Sequence, residues 1–569
     1  MLPYLKTMTD DKDNRKGEMA SSVAISGKTT YRPCHFNEDE ILNRFKVISH
    51  DIGDKVISLS EDVLLTCDSW SSPKSNIRKL EDATNDPRKK HLVLYDMWHD
   101  DVVEEILLLF RRYRDRCWMS IEFRGCQEKH INAVLECALK MDIVHTIAFS
   151  LTNDRYDPTR QCHNSTFDVI TRSMKNNQRL ECLIFHSRPI HFIRYESLKH
   201  LNVKRLHFLE GILLHPQEIS ELAAGLRENH SLVSFSFLGG TQVSDKNNIA
   251  KIVDALVSHP SLKRLVLCLK SSSDNGVPGL EDLLKCRNSA LESLTLTGGF
   301  ALASPFRKAS LSKGLKRSKL RHLHLKGVSL QPRDVHDMAI GLQSNQSIES
   351  LSINLDASNK TVDVSPIALA IQNNHRIQRL ALAGKCSLGR GICGIAKLLS
   401  SKKSKLKDLH LSGAFFDKDL RHKDFLQIFL RGLRGNHQLE SLDLSANALS
   451  DAEVSMIYSE VATCQTLYNL DVGMNDITSK ALESFAGAQT PNQLCVLRIS
   501  SQNFSFFEIN DRVCRNLIKL LMINRRLGDV NFNFGPVEWH HSYQENGEMK
   551  WHRKCPIELW IVANVSKAK

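Results

Sequence analysis

The chain has 569 residues, 42% of them hydrophobic and 25% charged, with a formal net charge of +12. That length exceeds what one compact core sustains, so it calls for several domains or one long repeat array, and the composition excludes a wholly disordered chain. No apolar run nears the roughly 20 residues of a membrane span, and the 15 cysteines include no C-x-x-C pair, which argues against a zinc ribbon or a disulfide framework and leaves most of them as buried apolar residues.

The N-terminus "MLPYLKTMTDDKDNRKGE" becomes charged too early for a secretory signal, so the chain reads as soluble and cytoplasmic, with the nucleus left open. Residues 1–36 are polar and aperiodic and are expected to be disordered. Residues 37–88 are expected to form an irregular cap, because an array must cover its terminal core. "KKHLVLYD" at residue 89 and the following "DDVVEEILLLFRRYR", with Val103, Ile106, Leu107 and Phe110 on one helical face, read as a degenerate first strand and helix.

From there an apolar-x-x-apolar-x-apolar pattern recurs. It appears as "WMSIEF" at 118, "VHTIAF" at 144, "LECLIF" at 180, "VKRLHF" at 203 and "LVSFSF" at 232, then "LKRLVL" at 262 and "LESLTL" at 291. It continues as "LRHLHL" at 320, "IESLSI" at 348, "IQRLAL" at 377, "LKDLHL" at 406, "LESLDL" at 439, "LYNLDV" at 467, "LCVLRI" at 494 and "LGDVNF" at 527. Alternation places the apolar residues on one side of an extended strand and the intervening ones on the other. Between 232 and 406 the start-to-start steps are 30, 29, 29, 28, 29 and 29, while outer steps of 36, 23 and 33 mark less regular units. Between strands, segments such as "PRDVHDMAIGLQSN" place Val335, Met338, Ala339 and Leu342 at helical spacing. An Asn precedes many strands by three residues, at Asn177, Asn229, Asn345, Asn374, Asn436 and Asn524, and reads as a left-handed helix stop rather than a glycosylation acceptor.

Strand motif, period and amphipathic helix together resemble the leucine-rich repeats of the ribonuclease-inhibitor type, over residues 89–534 in about 15 to 16 repeats. The resemblance implies an α/β solenoid, a horseshoe with a parallel β-sheet on the concave face and helices on the convex face. The family's Asn after the strand is clear only at Asn447 and Asn475. At the far end, Asn546-Gly547 lies between extended runs and, with Trp539, Trp551 and Trp560, predicts a β-hairpin cap over residues 535–569.

Chemistry is sparse. "GRGICG" (Gly389, Gly391, Gly394) matches a nucleotide-loop spacing, but it falls where other repeats make their strand-to-helix turn, so the glycines are read as turn residues. His540, His541 and His552 lack further ligands at a metal-binding spacing. No hydrolase, metalloprotease or P-loop motif is present, so the chain is read as no enzyme, with no cofactor, no metal and no small-molecule substrate.

Charge says more. Residues 300–419 hold 20 Lys and Arg against 8 Asp and Glu, an excess of 12 that equals the formal charge of the whole chain. Such a block steers acidic partners. The strand position between the last two core residues runs His207, Ser236, Val266, Thr295, His324, Ser352, Ala381, His410, Asp443, Asp471 and Arg498, from mixed to basic to acidic. The candidate partner-binding residues on the concave face are therefore Arg321, His322, His324, Lys326, Arg379, Lys407, His410, Glu440, Asp443 and Asp471. The reading is a non-catalytic scaffold holding a protein partner, of acidic character toward the basic stations, with no membrane contact. Two alternatives stand beside it. One is regulation of a small GTPase, since the Ran GTPase-activating protein resembles this repeat type, although its acidic C-terminal tail has no counterpart in "IVANVSKAK". The other is nucleic-acid binding through the basic repeats, disfavoured because the central strands carry almost no aromatics for base stacking.

Overall fold

Alternation becomes a two-sided sheet. In the strand His322–Val328, Leu323 and Leu325 are buried on the helix side while His322, His324 and Lys326 occupy the other face. Each such leucine contributes on the order of 1.5–3 kcal/mol by leaving water. A strand alone has nothing to bury them against, so the helix of the same unit and the neighbouring units complete the core.

The computed structural model describes most of residues 91–500, with the strands Val63–Thr66, Asp529–Asn533, Ser542–Tyr543 and Met549–Lys550. The chain divides into two compact units, Met1–Ser60 and Glu61–Lys569, and every described residue belongs to the second. Residues 1–36, the tryptophans at 539, 551 and 560, the histidines at 540, 541 and 552, and Asn524 lie outside the described residues.

Among the described residues, seventeen strands form one sheet in chain order, each parallel to the next, from Val63–Thr66 to Asp529–Asn533. The first of them lies inside the stretch the sequence assigns to an irregular cap. Glu61 stands three residues before Leu64, where the strand motif needs an apolar residue, a departure it shares with Lys89 before the next strand. Ser542–Tyr543 and Met549–Lys550 pair antiparallel around Asn546-Gly547.

Helices alternate with the strands and pack on their neighbours along the chain. Val335, Met338, Ala339 and Leu342 are all buried in the helix Pro332–Ser344, as their spacing predicts. In Asp100–Arg112, Val103, Ile106 and Phe110 are buried and Leu107 packs against the core. The short 23-residue step from 180 to 203 accommodates a 3-10 helix, Tyr195–His200, instead of an α-helix. Early units stack Phe123, Phe149, Phe185 and Phe208 at 5.1–5.8 Å between ring centroids. Later units fill the equivalent register positions with leucine or isoleucine, such as Leu296, Leu325 and Ile353.

The asparagines before the strands do something other than expected. Asn229 and Asn345 have φ of −76° and −79° with ψ of 131°, extended rather than left-handed backbone. Their side chains join neighbouring units instead. The amide Nδ2 donates to a carbonyl of the preceding unit, from Asn177 to Leu139, Asn229 to Leu198, Asn345 to Leu315, Asn374 to Asn345 and Asn436 to Leu399, at 2.7–3.2 Å. The Oδ1 atoms of Asn177, Asn229, Asn345 and Asn436 accept the backbone N–H groups two and three residues on, turning the chain into its strand. Only an uncharged side chain with both donor and acceptor performs both tasks at a buried site.

Candidate functional site: the open half of the sheet face

The sheet face away from the helices divides in two. Register pairing sets Glu122, Ala148, Ile184, His207, Ser236 and Val266 in one column, continued by Thr295, His324, Ser352, Ala381, His410, Asp443, Asp471 and Arg498. The first six are buried, and from Thr295 onward each is half-exposed or exposed. In the buried half, Arg124 closes a two-point ion pair on Glu122, 2.6 Å from Nε to Oε1 and 3.0 Å from Nη2 to Oε2. The open half is the solvent-accessible part of this face.

Arg321 and Lys407 are not loose cations. One residue before each strand runs a row whose members are joined by backbone bonds: Lys263, Glu292, Arg321, Glu349, Gln378, Lys407, Glu440 and Tyr468. Charges alternate along it. Lys263 lies 3.2 Å from Glu292, Arg321 spans Glu292 at 3.9 Å and Glu349 at 2.8 Å, and Lys407 lies 2.6 Å from Glu440. Arg321 grips Glu349 through both Nε and Nη2. Glu292 and Glu349 were missing from the sequence-derived set. The alternation of charge at the second position of successive strand motifs was the signal that pointed to them.

Between this row and the column lie His322 and Arg379. His322 pairs in register with Ser293 and Ser350, and Arg379 with Ser350 and Asp408. Lys326 pairs with Thr297 and Asn354. No carboxylate of a described residue lies within 4 Å of Lys326 or Arg379, both of which are exposed. The rings of His322 and His324 sit 6.5 Å apart, and His324 Nε2 lies 3.5 Å from Ser350 Oγ. Burial, then the positive fields of His322, Lys326, Arg379 and Arg264, pushes His324 down to about 4. Burial, with Arg379 and Arg321, also lowers His322. Both imidazoles are therefore neutral donor–acceptors at pH 7.

Farther along, the sign reverses. His410 Nδ1 lies 3.4 Å from Asp443 Oδ2, and this bond raises His410 against the opposing effect of burial. Burial opposes the Asp443 charge, but bonds from His410 and Ser445 more than offset it and hold the carboxyl below the usual Asp value. Burial, reinforced by the negative field of Asp443, lifts Asp471 despite the Gly473 N–H bond and Arg498 at 3.7 Å. The column thus presents the neutral imidazole of His324 with cations on either flank and then, four strands on, the first of two carboxylates.

The glycine motif has a packing role. A Cβ on Gly391 would lie 2.8 Å from Ser365 Cα, and one on Gly394 would lie 2.5 Å from the Ala368 carbonyl oxygen. The helix Gly391–Ser400 therefore approaches the preceding helix Ser365–Ala370 backbone to backbone. Asn447 and Asn475 form a two-rung amide ladder: Asn475 Oδ1 accepts the N–H groups of Asn447 and Leu449, and its Nδ2 donates to the Leu444 carbonyl. Among the described residues no group of three His, Cys, Asp or Glu could hold a metal ion, and no helix is long and apolar enough to cross a membrane. The nine described cysteines are free thiols, of which Cys126, Cys182, Cys268, Cys386 and Cys464 are buried.

Parallel strands in a register that shifts only locally, as between Lys326 and Val328, the strand motif on most of them, a helix in nearly every unit and a central period of 28–30 residues define a leucine-rich repeat solenoid. Its repeat length resembles that of the ribonuclease-inhibitor type. No family model matches it. The human NACHT, LRR and PYD domains-containing protein 5 is 27% identical over 270 residues, which is 45% of this chain and 21% of that protein, so the chain spans about a fifth of that relative's length. An internalin from Listeria monocytogenes aligns over 71% of this chain and 95% of its own, at 15% identity and a TM-score of 0.36. The structure of the TLR13–ssRNA13 complex aligns over 76% and 52% at 16% identity and a TM-score of 0.36, and LegL7 of Legionella pneumophila over 63% and 97% at 15% and 0.32.

Proposed function

We propose that the chain is a non-catalytic scaffold that holds a protein partner on the sheet face between Ser293 and Ser500. The observation that supports this is the division of the face: the register column is buried up to Val266 and open from Thr295, and the open part carries ordered stations of opposite character at His324 and Asp443. Complementary charge of that kind sets the register of a partner more than it sets raw affinity. Among the described face positions from Ser293 to Ser500, Tyr468 alone is aromatic, and one ring offers no run of stacking platforms, which favours a protein over single-stranded nucleic acid. Of the ten residues picked out by sequence, Lys326 and Arg379 are the better targets, because Arg321 and Lys407 already satisfy their charge within the row.

The test is capture from the native cell with the intact chain, with Lys326→Glu plus Arg379→Glu, and with the helix-side pair Arg333→Glu plus Lys397→Glu, all matched for thermal stability. Loss of a protein from the first variant alone supports the reading. Recovery of the same proteins by all three overturns it.

A further inference from the structure

The central stations carry a narrower assignment, which rests on the protein-partner reading above. Cations on this side of the sheet are nearly all held by carboxylates one unit away: Lys204 and Arg205 by Glu181, Lys263 and Arg321 by Glu292 and Glu349, Lys407 by Glu440, Arg498 by Asp471. Lys326 and Arg379 have no carboxylate of a described residue within reach. They bracket His324, whose ring feels both of them. Lys326 lies two residues along the same strand, and Arg379 lies two strands away in the register of His322 and Ser350, so that it is offset from His324 by about 10 Å across the sheet and about 7 Å along it. The strand between them carries the Ser350 and Ser352 hydroxyls, while Thr295 pairs with His324 on the side away from Arg379.

We propose that this cup binds a phosphomonoester on the protein partner, a phosphorylated side chain seated over His324 between Lys326 and Arg379. The donor chemistry favours that ligand over a carboxylate. A carboxylate offers two coplanar oxygens and a single charge, which one guanidinium satisfies alone. Here an ammonium, a guanidinium, neutral imidazoles and serine hydroxyls are spread over three adjacent strands on one face, which suits a dianion with three acceptor oxygens more than a single flat carboxylate. The polarity of the flanks agrees. Asp408 beside Arg379, and Asp443 two strands on, repel a continuous polyanion such as RNA but leave room for one isolated phosphate.

The experiment uses the full chain and degenerate peptides centred on phosphoserine, phosphothreonine or phosphotyrosine. Parallel sets carry Glu or the unmodified residue at the centre, and a mixed-sequence single-stranded RNA is included. Binding is read by fluorescence anisotropy. The expected result is at least about tenfold tighter binding of a phosphorylated set than of its Glu counterpart. Lys326→Ala and Arg379→Ala should each lower that affinity about tenfold, while Lys397→Ala on the helix side leaves it unchanged. Equal binding of the Glu set, tighter binding of the RNA, or indifference to both substitutions overturns the proposal. Phosphatase treatment of the cell extract separates the two readings. If capture still depends on Lys326 and Arg379 after treatment, the phosphate assignment fails and the protein-partner reading stands; if capture never depends on them, both fail.

Discussion

Replacing Asn345 by Gly tests why an asparagine precedes the strand. Were the residue a left-handed helix stop, Gly would be the best substitute. Its φ of −79° and ψ of 131° remove that advantage. What the side chain supplies is a donor to the Leu315 carbonyl at 2.7 Å and an acceptor for the N–H groups of Ser347 at 2.9 Å and Ile348 at 3.0 Å, in a residue only 1% exposed. The Leu315 carbonyl keeps the Ser318 hydroxyl as a second donor, so its loss is softened. The buried Ile348 N–H has no such reserve, and an unsatisfied buried donor costs about 1–3 kcal/mol. With the inter-unit bond also gone, Asn345→Ala should cost about 2–3 kcal/mol locally. Asn345→Gly should cost as much or more, because Gly adds backbone entropy to the unfolded chain. Hydrogen exchange reads this directly, since about 2–3 kcal/mol corresponds to roughly 30- to 150-fold faster exchange of the Ile348 amide. Exchange in Asn345→Gly within about twofold of the parent would refute the inter-unit explanation.

Gly394→Ala should lower stability by about 1–3 kcal/mol, because its Cβ meets the Ala368 carbonyl; a denaturation midpoint that ATP or GTP raises would instead revive the nucleotide reading. Acid should weaken the fold well above the carboxylate range. His207 is held down to about 3 by burial and the fields of Arg264 and Arg205, and His259 to about 4 by burial and His230. The unfolded chain binds their protons near 6.5 while the native one does not, so stability is complete above about 6.5 and falls as pH drops toward 4, and His207→Gln should flatten part of that slope. The His410–Asp443 contact has the opposite sign on its histidine side: it stabilises fully below 6.5 and is lost as pH rises through the raised value of His410, whereas its Asp443 side is lost only as pH falls through the lowered carboxyl value. In Asp443→Asn, the chemical shift of a carbon-labelled His410 ring should titrate at lower pH than in the parent; an unchanged titration would show that Asp443 is not the cause.

The basic character of "KLRHLHLKG" illustrates what a linear pattern leaves open. Leu320, Leu323 and Leu325 are all buried, as alternation requires. Yet Arg321 and Lys326, indistinguishable as isolated cations in the string, have different fates, one gripped by Glu349 and the other open. Asp408 likewise passes unnoticed until register sets it beside Arg379. The asparagines were visible as a recurring letter, but their role depended on a φ angle and on a carbonyl 28 to 38 residues earlier.

By itself the sequence determined the strand–helix unit, its period, the apolar seam and the order of side chains along each register column, because these follow from periodicities of two and 3.6 residues that act within a single unit. Only the tertiary structure decided which cations are neutralised, which half of the sheet face is open and why the asparagines recur. Those are through-space properties of neighbouring units about 5 Å apart, set by register and by what covers each face rather than by any local pattern.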